Sequence, residues 1–330
     1  MLCHLVLEGY TGFILVLVDG GEELKQNWYK GNLHTHTTKS DGDAHPEDVV
    51  DWYKQHQYDF LVLSDHNHRT ILDHEIEGGP LMVPGEEVSA RLTGSKAWHG
   101  GEIGIHLNGI GISRVVDPVY ASDVVTVLQA NIDSIIEAGG IAQINHPNAS
   151  WALNHKDIVQ TSGASLFEVY NGGPANNSEG GPGKDSAEEM WDHLLSAGHV
   201  IFGVATDDSH HYSDFSINMA NPGRGWVVVK ASELSTEAVV DSLATGQFYF
   251  STGVELAKLD ISDQSVSLEI VQSRDWIYHT RFIGRDGTVL SDSAGLEASY
   301  DISGDEGYVR AVIHSSYGTR AWIQPVFTSN

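Results

Sequence analysis

The chain has 330 residues, with 18 Lys and Arg against 45 Asp and Glu, a formal net charge of −27. That acidic surplus excludes a nucleic-acid partner, which needs a Lys- and Arg-rich face to neutralise phosphate, and an anionic membrane surface. Length and a 41% hydrophobic share fit a globular protein with a sizeable core, as two domains or one large α/β domain with an appendage.

The single Cys3 leaves no internal disulfide or thiolate cluster. Apolar runs at 2–7 and 13–18, separated by Glu8-Gly9-Tyr10-Thr11-Gly12, predict a β-hairpin. A basic start and a small-residue cleavage site are missing, so this is not read as a signal peptide. No apolar run approaches the roughly 18 to 20 residues of a membrane span. A cytoplasmic location is expected.

From Trp28 to about Phe250 strand and helix signals alternate. A short strand is predicted at 32–35. A helix then begins at Pro46, where a first-turn proline is followed by Glu47 and Asp48 at the positive end of the helix dipole. Val49, Val50, Trp52 and Tyr53 form its apolar face. The run Phe60-Leu61-Val62-Leu63 has the continuous apolarity of a buried parallel strand. Further helices are predicted at 119–138, 187–197 and 236–244, each stopped by glycine, and strands at 141–144, 166–170 and 200–205. Residues 171–184, dense in Gly, Asn and Pro, form a loop long enough to be a lid. Repeated β-α units specify a parallel sheet, open or closed into a barrel. After Thr252 the period becomes two: Val266, Leu268 and Ile270 alternate with polar residues, Asp286-Gly287 marks a hairpin turn, and 308–313 alternate again. This predicts a small antiparallel β domain over 251–330, joined by the hairpin of 1–27, beside an α/β domain over 28–250.

Half of the 18 histidines fall between His34 and His106. In His34-Thr35-His36 two imidazoles project to one side of an extended chain, and neutral imidazole is the commonest ligand for zinc-like ions. Ser40-Asp41-Gly42 follows. The next strand runs into Asp65-His66-Asn67-His68, and beyond it lie Gly85-Glu86-Glu87, His106, Asn145-His146-Pro147 and Asp207-Asp208-Ser209-His210-His211. Five strand ends therefore deliver His or carboxylate, and in parallel α/β folds such ends converge on one face. His155, His193, His199 and the other scattered histidines are read as structural or solvated, and Glu188, Glu189 and Asp192 as a solvated helix face.

In this order, these motifs resemble the polymerase and histidinol phosphatase (PHP) superfamily of metal-dependent hydrolases over residues 28–250. Gly31-Asn32-Leu33-His34-Thr35-His36-Thr37, the Gly-Glu-Glu stretch and the trailing β domain are most similar to its carbaryl hydrolase branch. The resemblance implies a distorted (β/α)7 barrel with two or three divalent ions (Zn, Mn or Fe) at the C-terminal strand face. It implies one ion on His34, His36, Glu87 and Asp208, a second on Glu87, His106 and His146, and a third on Asp41, His66 and His210. Glu87, Asp208 and His210 would be central to catalysis, with hydroxide held between ions as the attacking group. Glu86 and Asp207, beside the chosen Glu87 and Asp208, are read as orienting an imidazole or bound water. His68 and His211 either line the pocket or are plain hydrogen-bonding residues.

The expected substrate is a small-molecule ester, and the sequence does not indicate an oligomeric state. A phosphoesterase would want cations near the metals, for which Lys39, Arg69, Arg91 and Arg224 are candidates. A carboxyl or carbamate esterase would want an apolar pocket, for which Trp98, Trp151 and Tyr170 are candidates. A third reading is a metal-stabilised binding module.

Overall fold

The computed structural model describes residues 26–328 apart from Glu75 and Trp98. The hairpin expected within 1–27 and the candidate Trp98 lie outside the described residues. Strand β1 (Asn27–Asn32) is followed by helix α1 (Pro46–Gln55), then by strands β2 (Phe60–Leu61), β3 (Leu81–Met82), β4 (Gly85–Leu92) and β5 (Ile103–Ile110). Helix α2 (Val124–Glu137), β6 (Ile141–Ile144), a short α3 (His155–Ile158), β7 (Ala164–Asn171), α4 (Ala187–Ser196) and β8 (Phe202–Thr206) come next. Then follow β9 (Trp226–Ala231), α5 (Thr236–Ala244), β10 (Phe248–Ser251), β11 (Leu256–Ile261), β12 (Ser265–Ile270) and β13 (Tyr278–Gly284). The chain closes with β14 (Thr288–Ala294), β15 (Glu297–Asp301), β16 (Tyr308–Ser315) and β17 (Arg320–Phe327).

Local chemistry accounts for the helices. Pro46 opens α1, which buries Val49, Val50 and Tyr53. The Asp123 carboxylate accepts from the Thr126 amide at the start of α2, so that helix begins at its cap and not at Val119. Ser186 and Glu189 form a reciprocal capping box on α4, which gives Glu189 a capping role where a merely solvated face was expected. Gly139 adopts φ 87° just past α2, a conformation glycine tolerates without strain.

The strands run in mixed directions where a parallel sheet was expected, and the distorted (β/α)7 barrel that the resemblance implied is not closed among the described residues. Five form one sheet in the order β4-β5-β6-β7-β8, and only β6, β7 and β8 run parallel. The β4-β5 pair is an antiparallel hairpin in which Glu87 pairs with Asn108 and Ser89 with His106, so Glu87 and His106 meet diagonally across it and neither lies at a strand C-terminus. Nine strands form a second sheet, β14-β13-β16-β17-β10-β9-β1-β2-β3, in which only β1, β2 and β3 are parallel. No closed barrel forms among the described residues. The two sheets meet instead through single parallel bridges, Thr35 with Ser209 and His66 with Glu87. Both bridges lie at the ends that carry the histidines.

One large core binds α2, α4, α5 and the inner strands and takes in Ile283, Tyr308, Val312 and Trp322 from the C-terminal strands. The nine-stranded sheet crosses 250–251 without a break, since β10 pairs with β9 on one side and β17 on the other. A three-stranded sheet, β11-β12-β15, lies over its outer end. Val266, Leu268, Ile270, Val309, Ala311 and Ile313 share one buried cluster there, a sandwich built by strands of period two. The opposite face of β16 is buried too. Arg310 is 1% exposed and bonds Asp192 Oδ1 through Nε at 2.7 Å and Oδ2 through Nη2 at 2.6 Å, with Glu188 2.9 Å from Nη1. Glu188 and Asp192 are therefore not solvated; they anchor α4 to the C-terminal strands. No helix among the described residues is long and apolar enough to cross a membrane.

Candidate metal centre

All nine expected ligands converge where the two sheets meet. His34 and His36 lie just past β1, held by backbone bonds from the Asp208 amide to the His34 carbonyl (3.0 Å) and from the His36 amide to the Ser209 carbonyl (2.9 Å). Glu87 is fixed against the 64–67 segment by its amide bonding the Ser64 carbonyl at 3.1 Å and its carbonyl accepting from the Asn67 amide at 2.9 Å. Its side chain is the hub. Oε1 lies 3.4, 3.1 and 3.1 Å from ring nitrogens of His34, His106 and His146, and Oε2 lies 3.4 and 2.8 Å from those of His36 and His66. Asp208 Oδ1 is 3.2 Å from Nε2 of both His34 and His36. The outer rim is Asp41, whose oxygens lie 3.5, 3.4 and 3.3 Å from His36, His66 and His210.

The groupings keep Asp41 with His66 and His210, and His34 and His36 with Glu87, as expected, but place His146 with His34 and Asp208. The donor atoms of His36, Asp41, His66 and His210 lie together, as do those of His34, His146 and Asp208, of His34, His36 and Glu87, and of His66, Glu87 and His106. His36 thus adjoins the outer group, and His66 adjoins the Glu87 hub.

Neighbours of the cluster set its orientation. Asp65, fully buried, accepts from the Thr37 amide (2.8 Å) and from the hydroxyls of Thr37, Ser40 and Thr70 (2.8, 2.7 and 2.5 Å). It thereby shapes the turn that presents Asp41. Asp208 sits at φ 48°, an uncommon conformation for a side-chain-bearing residue. Its Oδ2 accepts from Asn171 (3.2 Å) and Asn176 (3.0 Å), so the segment expected to be a lid supplies two fixed amides.

A contributor missed in the sequence is Glu168. Its Oε1 is 2.8 Å from His34 Nδ1, and its Oε2 accepts from the His146 amide at 2.6 Å. Its one sequence signal was a lone carboxylate inside the apolar run Leu166-Phe167-Glu168-Val169.

The paired acids separate cleanly. Glu87 faces the imidazoles, whereas Glu86 turns to the opposite side of the strand and accepts from the Val116 amide. Burial, reinforced by Asp117, pushes the Glu86 carboxyl up to about 7. Asp207 also points away, bonding the Tyr53 hydroxyl (2.7 Å) and the amides of Arg224 and Gly225 (2.6 and 3.0 Å). Neither acid orients an imidazole. For Glu87, burial works against ionisation, but His106, His66 and His34 outweigh it and hold the carboxyl well below the usual range. His66 is driven up to about 10, burial being overcome by Glu87 and Asp41, whereas burial and His210 bring His36 down to about 4.

The substrate candidates divide. Arg224 is committed to the carbonyls of Gly172 (2.8 Å) and Ser216 (2.7 Å) and to the Asn221 amide oxygen, a clamp between loops and not a group facing the centre. Arg69 lines a separate cavity with Leu63, Ile71, Met82 and Pro84. Tyr170 packs beside Trp322 and Arg320. Lys39, His68 and Arg91 are exposed, and His211 is half-buried, 6.4 Å from the His210 ring. Trp151 does line a cavity of about 440 Å³ next to the centre, with Lys96, Ala97, Ala149, Ala175 and Asn176; Asn176 is also bonded to Asp208.

The residues present fit divalent ions. His34 Nε2, His36 Nε2 and Glu87 Oε2 are buried and make no hydrogen bond of good geometry, only charge contacts of 2.8 to 3.4 Å within the cluster, an arrangement that leaves their lone pairs for something else to satisfy. Imidazole nitrogens and carboxylate oxygens converging on one buried point are the donors such ions take.

No protein-family model matches the chain, and no curated protein matches it. Solved structures do. A two-domain protein from Bacteroides vulgatus, described as containing a predicted PHP-like metal-dependent phosphoesterase, aligns over 91% of this chain and 95% of its own at 16% identity and a TM-score of 0.50. An amidohydrolase from Chromobacterium violaceum with bound sulfate and no metal aligns over 56% of this chain and 88% of its own, at 17% identity and TM-score 0.39. A protein from Bifidobacterium adolescentis described as a metal-dependent phosphoesterase aligns over 58% and 89%, at 13% identity and TM-score 0.39. The first likeness extends over nearly the whole of both chains and shows a shared overall fold. None of the three is described as a carbaryl hydrolase.

Proposed function

We propose that the chain is a metal-dependent hydrolase of small-molecule esters, most specifically a phosphoesterase, with the centre carried by 28–250 and the β domain by 251–330. The observation that carries this reading is the set of buried, unbonded donors His34 Nε2, His36 Nε2 and Glu87 Oε2 at the heart of nine converging ligand side chains. Ions held by His34, His36, Asp41, His66, Glu87, His106, His146, Asp208 and His210 would acidify bound water and offset charge developing on the ester oxygens.

The chain's own residues do the positioning. Glu168 keeps the proton of His34 on Nδ1 and leaves Nε2 facing inward. Glu87 presents separate oxygens to the two halves of the cluster, and Asn171 and Asn176 hold Asp208 in its constrained conformation. His210 donates from Nδ1 to the Asp208 carbonyl at 2.8 Å, which turns its Nε2 toward Asp41. Lys39 beside Asp41 and Lys96 on the cavity wall are cations available to an anionic ester.

A second reading, hydrolysis of a carboxyl or carbamate ester, is favoured by the apolar side of the cavity, where Trp151, Ala97, Ala149 and Ala175 meet. Turnover of p-nitrophenyl phosphate against naphthyl acetate and a naphthyl carbamate, with added manganese or zinc, separates the two. Phosphate release supports the first, naphthol release the second. Full metal loading without turnover of any of the three would refute both.

A further inference from the structure

We propose that His155, Asp185 and His193 form a second metal site, outside the nine-residue centre, which takes one zinc-class transition-metal ion. His155 opens α3, His193 lies in the last turn of α4, and Asp185 immediately precedes the α4 cap. One carboxylate oxygen receives both rings: Asp185 Oδ2 is 3.0 Å from His155 Nδ1 and 3.9 Å from His193 Nε2. The ring centroids are 4.2 Å apart, and the three donor atoms lie within 4.8 Å of one another. In a tetrahedral zinc site, bond lengths near 2.0 to 2.1 Å place neighbouring donors roughly 3.3 Å apart. The two observed distances bracket that spacing. A hydrogen bond explains His155 alone; at 3.9 Å His193 makes none with Asp185.

The site is also built on fixed supports, as a ligand set must be. The Asn154 side chain caps α3 by accepting from the amides of Lys156 and Asp157, and Ser186 caps α4. The Asp185 carbonyl accepts from Asn148 Nδ2 at 2.9 Å. All three side chains are partly open to solvent, with 23%, 41% and 43% exposure, so an ion can enter and keep a water as a further ligand. Two imidazoles and one carboxylate select zinc, nickel or copper over calcium and magnesium, which take oxygen ligands. A bound ion would cross-link α3 to α4 and to the end of the 171–186 segment. Through Asn148, that segment abuts the turn holding His146.

The test counts ions. Tag-free protein is stripped with chelator, loaded with excess zinc, desalted and assayed for zinc per chain by atomic emission. His155→Ala/His193→Ala should retain one equivalent fewer than the unaltered chain, and zinc should raise its melting temperature less. Asp185→Asn, which keeps the side-chain volume, should weaken the same equivalent at least about tenfold in chelator competition, and it provides the reading should the double change disturb folding. Unchanged zinc content in the variants would overturn the proposal. His36→Ala, in the same assay, reports on the nine-residue centre separately, so loss there without loss here refutes this site alone.

Discussion

Glu168→Gln isolates how a residue outside the cluster controls it. All groups around this carboxylate donate: His34 Nδ1 and the Thr206 hydroxyl to Oε1, the His146 amide and Asn171 Nδ2 to Oε2, and Gln143 Nε2 at 3.4 Å. A glutamine must place its NH2 on one side. Toward Oε2 it would oppose the His146 amide, which has no alternative role. Toward Oε1 it would force His34 to accept at Nδ1, moving its proton to Nε2, the atom facing Glu87 and Asp208. The second arrangement is the less costly one, because an imidazole can change tautomer and a hydroxyl can rotate, whereas a backbone amide can do neither. The substitution therefore removes one donor lone pair without changing shape. Loss of such an outer partner weakens metal binding about 10- to 100-fold, about 1.4 to 2.8 kcal/mol at 1.4 kcal/mol per tenfold. Chelator competition with zinc or manganese measures it, and circular dichroism confirms that the fold survives. A folded variant with affinity within about threefold of the parent would refute the tautomer argument.

Glu87→Gln should lower both metal content and hydrolysis. Glu86→Gln should spare both and stabilise the protein at pH 8: burial raises the Glu86 pKa to about 7, so its ionisation costs stability as pH rises through that value. Thermal melts and metal analysis of the pair check this, and the opposite pattern would show that Glu86 is the ligand. Asp192→Ala should cost up to about 3 to 5 kcal/mol in urea unfolding, because it leaves the buried Arg310 with Glu188 as its remaining carboxylate partner; a loss under about 1 kcal/mol would refute that anchor. In chelator, the melting temperature should fall as pH rises from about 7 toward 10. His66 has a folded pKa of about 10 against roughly 6.5 unfolded, so its contribution is full below 6.5 and disappears as pH passes through 10. His36 has the opposite sign, since its pKa of about 4 penalises folding below 6.5. Added metal should flatten the alkaline decline, and His66→Gln should remove most of it.

Features encoded within a few residues were legible from the sequence. Pro46 with Glu47 and Asp48 marked α1, Gly139 marked the end of α2, and the period-two alternation of 266–270 and 308–313 marked strands whose apolar face is buried. His34-Thr35-His36, Asp65-His66 and Asp208-Ser209-His210 were visible as candidate ligand motifs because imidazole and carboxylate recur at fixed short spacings after apolar runs. Strand direction was not legible. An apolar run looks the same whether its neighbour runs with it or against it, so the β4-β5 hairpin and the antiparallel β9 and β10 replaced the expected barrel. Nor could local pattern assign partners to charges. Arg310 meets Asp192 from 118 positions away and Glu168 meets His34 from 134, and only packing brings such pairs together. The same holds for Arg224, read as a candidate for substrate and found bonded to loop carbonyls. Backbone periodicity and capping act over one or two turns of chain, whereas the alignment of a buried charge depends on every element folded around it.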